Sequence, residues 1–279
     1  MSAKIIYGTD AHLRAKDQLK TAVIQKIERD GLHSMPTFGI YCYTEDGNPS
    51  VFAKMKKKDF DECGIKTNIY SSNKSSDIVS TLWNHPSNEV VSFELPMPGV
   101  DIGVLADNIK IMDMDRIFNK SMLRDISLYK KTPVDYKDED FLSNLPCTPA
   151  GVMSMLEDNF IGVSGKHVAI VGRSYEVGLP MGMAFMKANA TVTYCHSKTP
   201  EDLLKAICRN ADIVVSATGV KDLITYDMVK SGVVAIDIGA YDMDHKSVEI
   251  KASHITASTK CVGLYTRAEY MKRFIKYLQ

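Results

Sequence analysis

Apolar positions along the chain recur with two different periods, and their alternation predicts a layered α/β protein. Ala15, Leu19, Ala22, Val23 and Ile27 form one stripe of a helix that Thr9-Asp10 can cap. Pro36 breaks the stripe, and Thr37–Tyr43 (TFGIYCY) reads as a strand. Turn chemistry over Glu45-Asp46-Gly47-Asn48-Pro49 leads to a helix over 50–63, ended by Gly64. Residues 67–70 predict a strand, Asp77 to Trp83 a helix, and Glu89 to Phe93 another strand. After Leu95-Pro96-Met97-Pro98-Gly99 a helical piece is expected from Val100 to Ile109. A charged, poorly patterned stretch then runs to about Asn144 and should wrap the surface.

Pro146-Cys147-Thr148-Pro149-Ala150-Gly151 restarts the pattern, with Thr148 expected as helix N-cap and Pro149 at the first helical position. A hinge is placed here. Val168–Val171 is a short apolar run of the kind buried in a parallel sheet, and Val177, Met181, Ala184, Phe185 and Ala188 follow at helical spacing. Strands over 190–194, 212–217 and 233–238, with a helix over 201–209, give a doubly wound sheet. The tail from Thr266 to Leu278 is helical, and its aromatic and aliphatic residues should cover the first domain. The expected fold is α/β with two domains. Residues 1–146 form a three-layer α/β catalytic domain joined by the C-terminal helix 266–279, and 147–265 form a Rossmann-type nucleotide-binding domain. No internal repeat or low-complexity tract interrupts this division.

Charge and cysteine usage narrow the function classes. Basic and acidic residues balance at 34 each, so no long-range field favours nucleic acid or a membrane surface. No apolar run approaches the roughly 18 residues of a spanning helix. The start MSAKIIYGTDAHLRAK carries no signal-peptide core. Cys42, Cys63, Cys147, Cys195, Cys208 and Cys261 include no CxxC pair, which predicts buried reduced thiols and neither a disulfide framework nor a metal site. A cytoplasmic protein is expected.

The candidate chemistry begins at His167-Val168-Ala169-Ile170-Val171-Gly172-Arg173-Ser174-Tyr175-Glu176-Val177-Gly178. A strand, a glycine-punctuated turn and a helix N-terminus together make an anion site, because unpaired N–H groups and the helix dipole point at it. Gly172 supplies the turn, and Gly178 opens the helix where backbone must come close to a bulky ligand. Ser174 stands where dinucleotide folds usually carry a second glycine. In an NAD site a carboxylate about 20 residues further on takes the ribose hydroxyls. Here the second strand ends Tyr194-Cys195-His196-Ser197-Lys198-Thr199, without one. A hydroxyl at Ser197 with Arg173 nearby suits a 2′-phosphate, which selects NADP over NAD. As isolated cues, Arg173 and Lys198 also read as solvated surface charges.

The ordered set Pro146-Cys147-Thr148-Pro149, Val171-Gly172-Arg173-Ser174 with Val177-Gly178, Cys195-His196-Ser197-Lys198-Thr199 and Ala235-Ile236-Asp237-Ile238-Gly239 resembles the methylenetetrahydrofolate dehydrogenase/cyclohydrolase family. Phe93-Glu94-Leu95-Pro96-Met97-Pro98 resembles that family's VQLPLP segment. The resemblance implies NADP on the C-terminal domain and a folate against the N-terminal one. It further implies oxidation of 5,10-methylenetetrahydrofolate, hydrolysis of the methenyl product in many members, and a homodimer. It draws the cofactor site from Gly172, Arg173, Ser174, Val177, Gly178, Ser197, Thr218, Gly219, Asp237 and Gly239.

The helix over 50–63 resembles the family's Y-x-x-x-K helix, with Phe52 at the tyrosine and Lys56 at the catalytic lysine. Four residues apart, both project from one helix face. Spacing alone would make Lys56 part of a solvated run with Lys54, Lys57 and Lys58. Glu94 replaces the family's glutamine and would face Lys56, where a carboxylate favours the ammonium form and weakens a general base. Weakened cyclohydrolase activity is expected. Asp115, in Met112-Asp113-Met114-Asp115-Arg116, matches the aspartate of KDVDG that binds the pterin edge, and Leu95 and Gly263 complete the expected folate contacts. Thr256–Thr266 replaces TPVPGGVGPMT and loses its prolines and double glycine, putting Lys260 and Cys261 where backbone would approach the ligands. His196, after a strand end, reads as packing or phosphate-adjacent. Two other readings stay open: a diverged protein that binds folate and NADP without useful turnover, and another Rossmann dehydrogenase.

Overall fold

In the computed structural model, which describes residues 2–100, 112–115, 122–135 and 137–279, the apolar runs become ten strands. They are β1 (Lys4–Ile6), β2 (Thr37–Tyr43), β3 (Thr67–Ser72), β4 (Glu89–Glu94), β5 (Met112–Asp113), β6 (His167–Val171), β7 (Thr191–Cys195), β8 (Ile213–Ser216), β9 (Val234–Asp237) and β10 (His254–Thr256). All pair in parallel, in two sheets ordered β3-β2-β4-β5 and β1-β10-β9-β8-β6-β7. The chain divides into two units, each built on one sheet: Leu13–Met122 with Arg267–Gln279, and Met1–His12 with Leu123–Thr266.

In the four-stranded unit β2 is central, and its alternation sends Phe38 and Tyr41 to opposite faces. Phe38 packs on Phe60 of the helix Val51–Asp61, with ring centroids 4.3 Å apart, and on Phe274 of the last helix, Val262–Leu278, at 5.9 Å. Tyr41 joins Val91, Phe93 and Met97 with Ile78 and Leu82 of the helix Ser75–Trp83. Helices therefore cover both faces, which makes three layers. On the Tyr41 face the fully buried Glu89 carboxylate accepts hydrogen bonds from Tyr41 (2.7 Å), Tyr70 (3.2 Å) and Asn68 (3.2 Å). Such donors are required when a carboxylate leaves water. Gly39 makes room for it, since a Cβ there would lie 2.5 Å from the carboxylate.

In the six-stranded unit the chain leaves β6 first for β7 on one side and then for β8 on the other. That reversal is the switch point beside which open α/β sheets bind ligands. Ala169, Val171, Val214, Ala235 and Ile255 line one core of this unit, and Cys195 and Cys208 lie in it as buried thiols. All six cysteines are free and buried, and desolvation pushes the Cys208 thiol up to about 12.

The structure differs from the sequence expectation at three places. Residues 1–12 and 123–146 fall in the six-stranded unit, not with the rest of 1–146. For 1–12 the physical reason is β1, whose register pairs Lys4 with His254 and Ile6 with Thr256. For 123–146 it is bonds such as those of the Val134 N–H to the Lys187 carbonyl at 3.1 Å and of Lys187 Nζ to the Tyr129 carbonyl at 3.0 Å. The stretch before Asn144 is not merely a surface wrap: the helices Met122–Leu128 and Glu139–Asn144 bury Ile126 and Phe141. The helix at the restart is Cys147–Asp158, with Pro146 in the N-cap position and no side-chain cap. Thr148 lies inside its first turn, with Oγ1 3.3 Å from that of Thr266. The helical piece expected up to Ile109 lies, beyond Val100, outside the described residues, as does Arg116. No described helix is long and apolar enough to cross a membrane.

Asp212 generates a pH prediction for the six-stranded unit. Its carboxylate pairs with Lys230 at 2.6 Å and accepts the His167 N–H at 2.8 Å, and these hold it below the usual carboxylate range. A depressed carboxylate contributes stability that is present above its unfolded pKa and lost as pH falls through its folded one. As pH falls below about 4, Asp212→Asn should therefore lose less stability than the parent chain, measured as urea unfolding midpoints at successively lower pH.

Candidate active site

The helix Val51–Asp61 starts at Ser50, whose Oγ accepts the Ala53 N–H at 2.9 Å and donates to Glu94 Oε2 at 2.6 Å. One residue thus caps the helix and ties its start to the end of β4. Lys56 lies on the helix face that also buries Ala53 and Phe60. Its side chain has 0% exposure, whereas Lys54 and Lys58 are exposed and Lys57 donates to the Thr67 carbonyl at 2.6 Å. Lys56 Nζ donates to Ser92 Oγ at 2.8 Å and lies 2.9 Å from Glu94 Oε1. Two rings flank it, Phe52 at 5.0 Å and Tyr270 at 4.7 Å from ring centroid to Nζ. Cation–π contact adds to the ion pair at such distances. Phe52, Lys56 and Glu94 are therefore brought together.

Behind Lys56 lies a second polar group. Ser92 Oγ is 3.2 Å from the Tyr270 hydroxyl and 3.4 Å from Asp115 Oδ2, and Tyr270 donates to the same Asp115 oxygen. Asp115 is buried on the turn after β5, and Arg273 Nη1 grips that turn through the Met114 carbonyl at 2.6 Å. Leu95 is half-buried beside the Tyr41–Phe93 cluster. Sequence reasoning missed Ser92 and Tyr270. A serine inside the strand Glu89–Glu94 was the available signal for the first, because a buried hydroxyl needs a partner. Tyr270 gave none, being one aromatic among several on a covering helix.

At the end of β6, Gly172 has φ +124°, and a Cβ there would meet the Ala217 carbonyl oxygen at 2.5 Å. A Cβ on Gly178, first residue of the helix Gly178–Lys187, would meet the Gly172 carbonyl oxygen at the same 2.5 Å. The turn is packed backbone on backbone, so a phosphate can come close to it. Ser174 Oγ accepts the N–H groups of Val177 (3.2 Å) and Gly178 (3.4 Å), holding the turn that leads into that helix. Gly172 N–H donates to Cys195 at 2.9 Å, and the register Val171↔Cys195 sets this turn beside the one after β7. Arg173, Ser197 and Lys198 are exposed on these two neighbouring turns. His196 shapes the second turn, its Nδ1 accepting the Lys198 N–H at 3.2 Å.

Other expected cofactor residues are engaged within the protein. Asp237 is buried, and its carboxylate accepts from the N–H groups of Asp242 (3.4 Å) and Met243 (3.3 Å) and from His245 Nε2 (2.8 Å). Thr218 donates its N–H and hydroxyl to Asp242 Oδ2 at 2.6 and 3.0 Å, and Gly219 follows at φ +69°. Gly239 lies against the Asp242 carboxylate, leaving no space for a Cβ. Asp242 thus fixes the two loops that follow β8 and β9, a role its sequence context did not announce. Gly263 is exposed in the first turn of the last helix, in the six-stranded unit. Before it, Lys260 takes φ +60° itself, and its carbonyl accepts the Gly8 N–H at 2.8 Å. Gly8 supplies the close approach here, since a Cβ on it would meet the Cys261 carbonyl oxygen at 2.6 Å. Burial pushes the Cys261 thiol up to about 12.

Comparison with known proteins adds three findings. Residues 146–279 match the model of the tetrahydrofolate dehydrogenase/cyclohydrolase NAD(P)-binding domain. The chain is 34% identical over 292 residues to the bifunctional protein FolD of Ruminiclostridium cellulolyticum, covering 99% of this chain and 97% of that one. Among solved structures it resembles a 5,10-methylenetetrahydrofolate dehydrogenase from the silkworm Bombyx mori (TM-score 0.81, 27% identity, 99% and 98% coverage). It also resembles the bifunctional FolD of Campylobacter jejuni (TM-score 0.78, 28% identity, 99% of each chain). The Gly172–Gly178 contact predicts that Gly178→Ala weakens NADPH binding by at least about tenfold, read by nucleotide fluorescence titration on protein shown to be folded.

Proposed function

The chain belongs to the tetrahydrofolate dehydrogenase/cyclohydrolase family, and on that premise we propose that it oxidises 5,10-methylenetetrahydrofolate to 5,10-methenyltetrahydrofolate with NADP, and hydrolyses the product to 10-formyltetrahydrofolate only slowly. The observation that carries this reading is the fully buried Lys56 with Glu94 at 2.9 Å and Ser92 at 2.8 Å. NADP, when bound, supplies the hydride acceptor. The glycine-to-backbone contacts at Gly172 and Gly178 suit its pyrophosphate, with Arg173 and Ser197 for the 2′-phosphate. Phe52 offers a ring face to the folate, and Asp115 a carboxylate to the pterin edge.

Hydrolysis needs a base that takes a proton from water as it attacks the methenyl carbon. Lys56 is the amine available for this, but its Nζ faces the Glu94 carboxylate and donates to Ser92. An ammonium held by a counter-charge donates hydrogen bonds and accepts no proton. Hydride transfer makes no such demand on it. The slow second step follows from Glu94 standing where the family carries an amide.

A second reading, binding of folate and NADP without turnover, is favoured by the loss of the ring hydroxyl at Phe52 and by the Lys260-Cys261 loop. Mixing protein, methylenetetrahydrofolate and NADP decides between them: methenyltetrahydrofolate and NADPH should appear together in equal amounts, and ligand binding without either product selects the binder. Glu94→Gln should speed methenyl hydrolysis by about tenfold while dehydrogenation changes by less than about threefold; an unchanged hydrolysis rate removes the lysine argument. Arg173→Ala should raise KM for NADP by about tenfold and leave any reaction with NAD as it was.

A further inference from the structure

We propose that Tyr270 is a positioning residue of the folate site, fixing the Asp115 carboxylate and coupling it through Ser92 to Lys56. The inference rests on the functional reading above and adds residues that reading does not use.

Donor chemistry gives the network a direction. The Lys56 ammonium only donates, so Ser92 Oγ accepts from it at 2.8 Å and spends its own hydrogen further on. Among the described residues, Tyr270 at 3.2 Å and Asp115 at 3.4 Å are the acceptors it reaches. The Tyr270 hydroxyl donates to Asp115 Oδ2, and a carboxylate only accepts. Every hydrogen along Lys56, Ser92, Tyr270 and Asp115 therefore points the same way, from the amine to the carboxylate. A shift of charge at Asp115, such as the approach of a pterin N–H edge, alters how firmly Tyr270 and Ser92 are held and hence where Nζ rests.

Two further contacts place this role on Tyr270 and not on packing alone. Its ring also forms one wall beside Nζ at 4.7 Å. Three residues along the same helix, Arg273 holds the Met114 carbonyl at 2.6 Å, so the helix grips the turn that carries Asp115 twice. A buried phenol needs some partner. Here the partner is the carboxylate assigned to substrate, and the ring contacts the amine assigned to catalysis.

Tyr270→Phe keeps the ring and removes the hydroxyl. In the purified full chain it should raise KM for methylenetetrahydrofolate by about tenfold, leave KM for NADP unchanged, lower dehydrogenase kcat by less than about threefold, and displace the pH profile of methenyl hydrolysis. A structural tyrosine would move none of these selectively. Ser92→Ala breaks the same link elsewhere and should reproduce the displaced pH profile; it serves as the test if Tyr270→Phe does not fold. Folded variants with parental KM for folate and a parental pH profile overturn the proposal. If the parent chain makes no methenyltetrahydrofolate, the functional reading falls. In that event tetrahydrofolate binding by calorimetry still decides: weaker binding to Tyr270→Phe than to the parent supports the positioning role, and equal binding overturns it.

Discussion

A lysine side chain cut off from water must meet its charge and its hydrogen bonds inside the protein, because an unpaired ammonium in an apolar interior is too costly to keep. Much of the four-stranded unit can be derived from meeting that need for Lys56. Ser92 and Glu94, alternate residues of β4, share one face of the strand and both reach Nζ. Glu89, Val91 and Phe93 take the opposite face and serve the Tyr41 layer. The same strand thus feeds a polar cluster on one side and an apolar one on the other. Ser50 locks the arrangement by capping the lysine's helix and binding the lysine's counter-ion together.

The nucleotide-binding unit solves a different problem with related means. A phosphate cradle needs backbone N–H groups presented in a fixed geometry, and loops do not hold geometry unaided. Asp237 and Asp242 hold the loops after β9 and β8 by accepting backbone N–H groups from within. Ser174 does this at the start of the helix Gly178–Lys187 by accepting two N–H groups. Carboxylates and hydroxyls near a ligand site are not all ligand groups. Several here hold the loops that follow β8 and β9.

That distinction explains which parts of the site were legible in the sequence. Strand β2 has the boundaries its pattern predicts, and the helix Val51–Asp61 lies within its predicted range, because their apolar residues repeat over enough length to fix a period. The glycines at 172 and 178 were legible because only a residue without a Cβ fits there. Lys56 was legible only by resemblance, since nothing in Lys54-Met55-Lys56-Lys57-Lys58 says which amine turns inward. Strand β1 escaped notice at three residues, too short for any period. The helices of the irregular stretch, seven and six residues long, escaped for the same reason. Ser92, Tyr270 and Asp242 act through residues distant in sequence, and a local pattern does not encode such partners.

Strand β1 carries a consequence of its own. It forms the outer edge of the six-stranded sheet by lying along β10, so the first and last strands of the chain are neighbours. A nascent chain makes β1 long before β10 and cannot seat it until His254–Thr256 has emerged. Until then residues 4–6 wait as an unpaired edge, and the Gly8–Lys260 backbone bond that follows them waits as well. Assembly of this sheet is thereby a late, long-range event, of the kind that slows folding in parallel topologies.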